Sequence, residues 1–153
     1  MKFKFFNKKT SMKNEYSAQV TETIDAQLWK VWEALVTPEI IKQYFFGTNT
    51  RSDWTVGSKI TFSGSWEGKT YEDKGTILAN EPGKMLKYSY WSSMSGIEDL
   101  PENYVEITYE LHEKDGKTLI TITQDNIPSE KMKEHSTENW KMVLGGLKKL
   151  MES

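Results

Sequence analysis

VWEALVTPEIIKQYFFG, Val31 to Gly47, carries a helical apolar pattern broken by Thr-Pro and ending in three aromatics and a glycine. Leu28, Val31, Trp32 and Leu35 recur at i, i+3, i+4 and i+7, the spacing of a helix with one core-facing stripe. Asp25 stands where it can cap that helix. Pro38 disfavours helical geometry at Thr37, so the helix must stop there. Thr37 then becomes a new N-cap with Pro38 at the first helical position, where a missing N–H costs nothing. The sequence therefore predicts two short helices in different directions. The second runs into Tyr44, Phe45 and Phe46, with Gly47 as its terminator.

Strand signals lie on both sides of this pair. Upstream, Tyr16, Ala18, Val20, Glu22 and Ile24 alternate with polar neighbours, so Glu22 is a carboxylate on an apolar face. Downstream, the alternation predicts inner faces of Ile60, Phe62, Gly64 and Trp66, then Tyr71, Asp73, Gly75 and Ile77, then Leu86, Tyr88 and Tyr90. A bulge near Ser89 would instead bring Trp91 inside and push Tyr90 out. Val105, Ile107, Tyr109 and Leu111 follow, and the KDGK hairpin signal leads to Thr118, Ile120, Ile122 and Gln124. Four or five antiparallel strands in a meander are expected after the helices.

Ser129 caps a last helix whose Met132, Trp140, Val143, Leu144, Leu147 and Met151 share a face. At about 100° per residue, Gly145 and Gly146 fall away from that stripe and read as a soft point rather than as room for packing. A long amphipathic helix laid on a curved antiparallel sheet, with two short helices at one end, is an α+β domain.

With 153 residues, 20 basic against 22 acidic, the chain is sized for one domain and too evenly charged to favour a nucleic-acid partner. It has no cysteine, which removes disulfides, thiolate chemistry and cysteine zinc sites, and fits a cytoplasmic setting. Residues 1–13 carry five lysines and no acid and read as a flexible basic extension; residues 14–153 form the domain. No apolar run approaches spanning length, so no stable membrane association is expected. Residues 98–115 hold seven acids and one lysine, a solvated face or a partner surface.

Catalytic signatures are missing. His112 and His135 have no metal-ligand spacing, and no nucleophile elbow, phosphate loop or dinucleotide fingerprint occurs. No catalytic residue, metal or cofactor is assigned. The chain does hold six Trp, seven Tyr and six Phe, many on inner faces. Inward glycines at 64 and 75 add no side chain there and suit a strongly curled sheet. An apolar hollow with a few placed polar groups is how small-molecule sites are built.

The ordered segments DAQLWKVWEALVTPEIIKQYFFG, WTVGSKITFSG, GTILANEPGKMLKYSYW, VEITYEL, GKTLITITQDN and NWKMVLGGLKKLME resemble the START-like, or SRPBCC, superfamily. Within it they are similar to single-domain proteins like the C-terminal domain of the activator of Hsp90 ATPase (AHSA1-type). The resemblance runs from about Tyr16 to Glu152. It implies a helix-grip fold, in which the sheet wraps the C-terminal helix and a cavity opens between them, as in relatives that bind lipids, polyketides or other hydrophobic molecules.

The leading expectation is a non-catalytic binding protein for a small lipid, acyl or aromatic ligand. Phe62, Trp66, Tyr71, Tyr88, Tyr90, Trp140 and Leu144 would line its pocket, with Tyr44 and Phe45 at the mouth. Glu22, Asp73 and Gln124 are the candidate polar groups. Two alternatives are a chaperone-interaction module of the Hsp90 type and an enzyme using Glu22 or Asp73 as base on a hydrophobic substrate.

Overall fold

The structure is a computed structural model that describes residues 14–153, so the basic segment 1–13 lies outside the described residues. The elements run β1 (Tyr16–Ile24), α1 (Leu28–Val36), α2 (Pro38–Tyr44), β2 (Asn49–Ser52), β3 (Lys59–Trp66), β4 (Lys69–Glu81), β5 (Met85–Tyr90), β6 (Val105–Lys114), β7 (Lys117–Ile127) and α3 (Glu130–Glu152). A 3₁₀ turn, Pro101–Asn103, precedes β6. The seven strands form one antiparallel sheet in the order β1-β7-β6-β5-β4-β3-β2, with α3 packed along β1 and β7 in a helix-grip arrangement.

Six strands follow the short helices, rather than four or five. The extra one is β2, whose sequence Asn-Thr-Arg-Ser offers no apolar alternation. Its pairing with β3 sets Thr50 opposite Phe62, so a threonine enters the inner face unannounced.

The Thr37-Pro38 break works as expected. Thr37 is extended, its carbonyl accepts from the N–H groups of Ile40 and Ile41, and Pro38 opens α2. Asp25 does not cap α1: a turn from Ile24 to Ala26 places it too early, and Gln27 takes the N-cap position without a side-chain bond. The end of α2 is marked by Phe46 and Gly47 in the left-handed region, at φ 57° and 71°. For phenylalanine that conformation is costly and has to be held by its surroundings.

The predicted inner faces are largely those observed. Ile60, Phe62, Ile77, Leu86, Tyr88, Ile107, Tyr109, Ile120 and Ile122 are buried. The irregularity falls between Ile77 and Ala79, not at Ser89, so Tyr90 packs on the core and Trp91 bridges to Lys74. Trp66 departs from expectation at 61% exposed, because it pairs with Lys69 at the last rung before the Glu67-Gly68 turn, outside the packed core.

Ser129 caps α3 by accepting from the Met132 N–H at 3.2 Å. Trp140, Val143, Leu144, Leu147 and Met151 are buried, whereas Met132 is exposed in the first turns, before the helix meets the core. The end of α2 passes over Gly146, where a Cβ would stand 3.5 Å from that of Tyr44, an ordinary contact, so packing does not require glycine there. Gly145 faces open space. Gly145→Ala should therefore raise the unfolding free energy by about 0.5–1 kcal/mol, measured by urea titration, with no change of fold.

The last turn of α3 is tied to the β1–α1 corner. Glu152 accepts from the Asp25 N–H at 2.8 Å and from Lys148 Nζ at 2.7 Å, while Lys148 also donates to the Thr23 carbonyl at 2.8 Å. The Asp25 N–H first, and then Lys148, hold the Glu152 carboxyl below its usual range. A depressed carboxyl contributes stability that is complete above its unfolded-chain pKa and is lost as pH falls through its folded one. Glu152→Gln is thus expected to lower the thermal midpoint at neutral pH. The difference from the parent should shrink on acidification below the ordinary carboxylate range.

Candidate functional site

Five aromatic side chains, four from regular elements and one from the loop after α2, close into a ring between sheet and helix. Phe45, just beyond α2, stacks on Trp140 of α3 with centroids 6.0 Å apart and planes 19° from parallel. Trp140 meets Tyr109 of β6 edge-on at 6.0 Å, Tyr109 meets Tyr88 of β5 at 5.8 Å, and Tyr88 meets Phe62 of β3 at 5.5 Å. Phe62 and Phe45 complete the circuit at 6.0 Å. All five separations lie in the range in which aromatic pairs attract beyond their buried area. Phe62, Tyr88, Tyr109 and Trp140 are buried; Phe45 alone is half-buried.

Four ring members, with Leu35, Ile41, Tyr44, Thr50, Trp54 and Ile60, line an interior cavity of about 10 Å³. That is near the minimum that admits one water molecule. The hollow expected from the inward glycines is therefore taken up. Tyr71 lies over Gly64, where a Cβ would come within 2.7 Å of its hydroxyl. At Gly75 the β5 backbone fills the space, since a Cβ would collide with the Ser89 carbonyl at 1.6 Å.

The polar groups of the inner face have found partners of different kinds. Gln124 accepts from the Trp140 indole N–H at 2.7 Å and so fixes the ring's helix-borne member. Asp73 is buried and accepts from the Tyr90 hydroxyl at 2.6 Å, the Ser93 N–H at 2.8 Å and the Ser93 hydroxyl at 3.1 Å, which pins the loop after β5. Burial, followed by the neighbouring Asp73 charge, pushes the Tyr90 phenol well above its ordinary range. Glu22 stands apart on β1, an edge strand, half-buried beside the Thr23 N–H, and does not line the cavity. No carboxylate reaches the cavity wall.

The remaining expected site residues divide likewise. Tyr44 is not a mouth residue: its hydroxyl turns inward and donates to the Ala34 carbonyl at 2.8 Å, locking α2 onto α1. Tyr71 bonds the Thr48 hydroxyl at 2.8 Å and ties the loop after α2 to the sheet. Tyr90 packs edge-on against Phe62 at 5.5 Å, and Leu144 is buried in the core below. Trp66 joins none of these contacts. Sequence reasoning placed Tyr109 on the inner face without assigning it to the site, and it missed Thr50 for want of any signal for β2.

The larger concavity lies on the sheet's opposite face, an open groove of about 530 Å³ under the loop before β6. Its charges are of both signs, with Lys74 paired to Asp99 at 2.6 Å, Glu106 paired to Lys87 at 3.2 Å, and Lys59 beside them. Among the described residues no group of three or more His, Cys, Asp or Glu side chains could hold a metal ion, and no helix is long and apolar enough to cross a membrane.

Residues 25–152 match the family described as activator of Hsp90 ATPase homolog 1-like protein, AHSA1. The chain belongs to the AHSA1 family. Among solved structures this AHSA1 chain is similar to ChR145 from Cytophaga hutchinsonii, with 49% identity over 92% of this chain and 97% of that one and a TM-score of 0.80. The Aha1 dimer from Colwellia psychrerythraea has the same fold at 21% identity, over 90% of this chain and 96% of that one, with a TM-score of 0.72. So does DynU16, a putative protein in the dynemicin biosynthetic locus, at 17% identity over 90% of this chain and 47% of that longer one, TM-score 0.75. Comparison with curated proteins gave no match. The AHSA1 helix-grip fold thus frames an aromatic ring around a water-sized cavity, with Phe45 as the member nearest solvent.

Proposed function

We propose that this AHSA1 protein binds a small, mainly apolar aromatic or acyl molecule between sheet and α3, and that the ligand takes the place of the Phe45 ring. The observation that carries the reading is the closed aromatic ring with a single half-buried member, Phe45, set directly before two left-handed residues. Turning that short segment outward would free a space bounded by Phe62, Tyr88, Tyr109 and Trp140, while Tyr71 and Thr48 hold its far end. The cysteine-free composition agrees with a cytoplasmic setting for such a protein.

Magnitudes set the expected affinity. Burying about 300 Å² of ligand surface contributes about 7 kcal/mol, and association entropy removes at least about 4. Lifting a half-buried phenylalanine from its seat costs about 1.5 kcal/mol more. What remains, at most about 1.5 kcal/mol, corresponds to a dissociation constant of about 0.1 M for a benzene-sized ligand, improving with ligand area.

Phe45→Ala removes the plug and opens a cavity on the order of 100 Å³, of the size class that takes up benzene. In titrations with benzene, naphthalene and octanol, followed by amide NMR shifts and tryptophan fluorescence, affinity should rise about tenfold over the parent. Saturable shifts should centre on Trp140, Tyr88 and the loop after α2. If neither protein responds up to the solubility of all three ligands, the binding reading is wrong.

A further inference from the structure

Thr50 and the tyrosine pair Tyr88 and Tyr109 bring hydroxyl groups to the cavity wall. Thr50 is 3% exposed, lines the cavity, and its Oγ1 is buried without a hydrogen-bond partner. Such a group costs free energy wherever it stays unpaired. Tyr88 and Tyr109, also in the wall, share one hydrogen bond between their hydroxyls at 2.8 Å. Two hydroxyls carry two protons, and one bond uses only one of them. Whichever tyrosine donates, the other keeps an O–H with no acceptor among the described residues. The cavity therefore holds one spare proton donor and one hydroxyl able to donate or accept, both in an apolar aromatic setting.

We propose that these groups form a neutral-oxygen subsite, in which Thr50 and the Tyr88–Tyr109 pair receive one uncharged hydroxyl or carbonyl oxygen of an otherwise apolar ligand. The inference rests on the binding reading above and narrows its ligand class to alcohols, phenols and neutral carbonyl compounds. No lining residue is charged, so a carboxylate or ammonium group would be buried without a counter-charge, at a cost far above one hydrogen bond. Burial raises the phenols of Tyr44, Tyr88 and Tyr109, so none of them supplies a negative charge at neutral pH. A ligand hydroxyl would accept the spare tyrosine proton and donate to Thr50; a carbonyl would accept from both.

Phenol and toluene have nearly the same shape and differ by the hydroxyl. Their dissociation constants are to be measured by amide NMR titration on the parent, Thr50→Val and the double variant Tyr88→Phe/Tyr109→Phe, with benzoate and benzylamine as charged controls. Thr50→Val keeps shape and β-branching, and the double variant Tyr88→Phe/Tyr109→Phe removes both phenolic hydroxyls of the subsite without touching β2, so one misfolded variant does not decide the matter. The ratio of toluene to phenol dissociation constants should fall about tenfold in each variant, and both charged compounds should bind more weakly than phenol. A ratio unchanged within about twofold in both variants, or benzoate binding more tightly than phenol, overturns the subsite while leaving the binding function standing. Absence of binding by every probe in both the parent and Phe45→Ala overturns the binding function itself, and the subsite with it.

Discussion

The contact on which the rest depends is the stack of Phe45 on Trp140. A single helix laid across a curved sheet cannot reach every inward side chain, and the space at its flank has to be filled by something long and flat. Phe45 fills it from the end of α2 and Trp140 from α3, and the sheet answers with Tyr109, Tyr88 and Phe62. The geometry of the stack is set well upstream. Pro38 ends one helix and aims the next, Tyr44 locks that helix to the Ala34 carbonyl, and its end passes over α3 at Gly146. Gln124 then orients the indole from below. The left-handed Phe46 and Gly47 let the chain leave this packed point at once toward β2.

The same arrangement serves stability and access in opposite ways. Four of the five rings are fully inside and anchored in regular elements, so they form a fixed wall. The fifth belongs to a loop whose own backbone is held in a sparsely populated conformation, the kind of local strain that surrounding contacts must sustain. On the proposed reading, an interior closed by one loop-borne ring is stable when empty and needs only a local change to admit a guest. Proteins with this fold and little sequence in common occur in settings as different as Aha1 and a biosynthetic locus. The shared frame therefore does not by itself assign a function.

Much of the frame is legible in the sequence because its signals are periodic. Alternation in β3 to β7, the heptad-like stripe of α3 and the Thr-Pro break each state a face or a boundary, and burial in the structure follows them. The site is less legible because its members are ordinary core aromatics by pattern. Parity alone put Trp66 inside, but parity does not say where a hairpin runs past the core, and Trp66 sits at that end. Tyr44 and Phe45 are neighbours in sequence with opposite fates, decided by a backbone acceptor on α1 that only the fold brings near. Thr50 is hidden altogether, since a four-residue polar strand has no periodicity to read. Glycines at 64 and 75 do mark close approach, yet what approaches is a tyrosine ring and a neighbouring strand, not an empty space.

The central claim is that the aromatic ring is a closed ligand site with Phe45 as its removable member. The most direct measurement is a crystal structure of the parent protein soaked with a phenolic ligand. The expected result is ligand density inside the ring, with the Phe45 side chain moved away from Trp140 and the ligand oxygen within hydrogen-bonding distance of Thr50 Oγ1 or the Tyr88–Tyr109 pair. Ligand found only in the groove on the opposite face of the sheet, with the Phe45–Trp140 stack intact, would contradict the account.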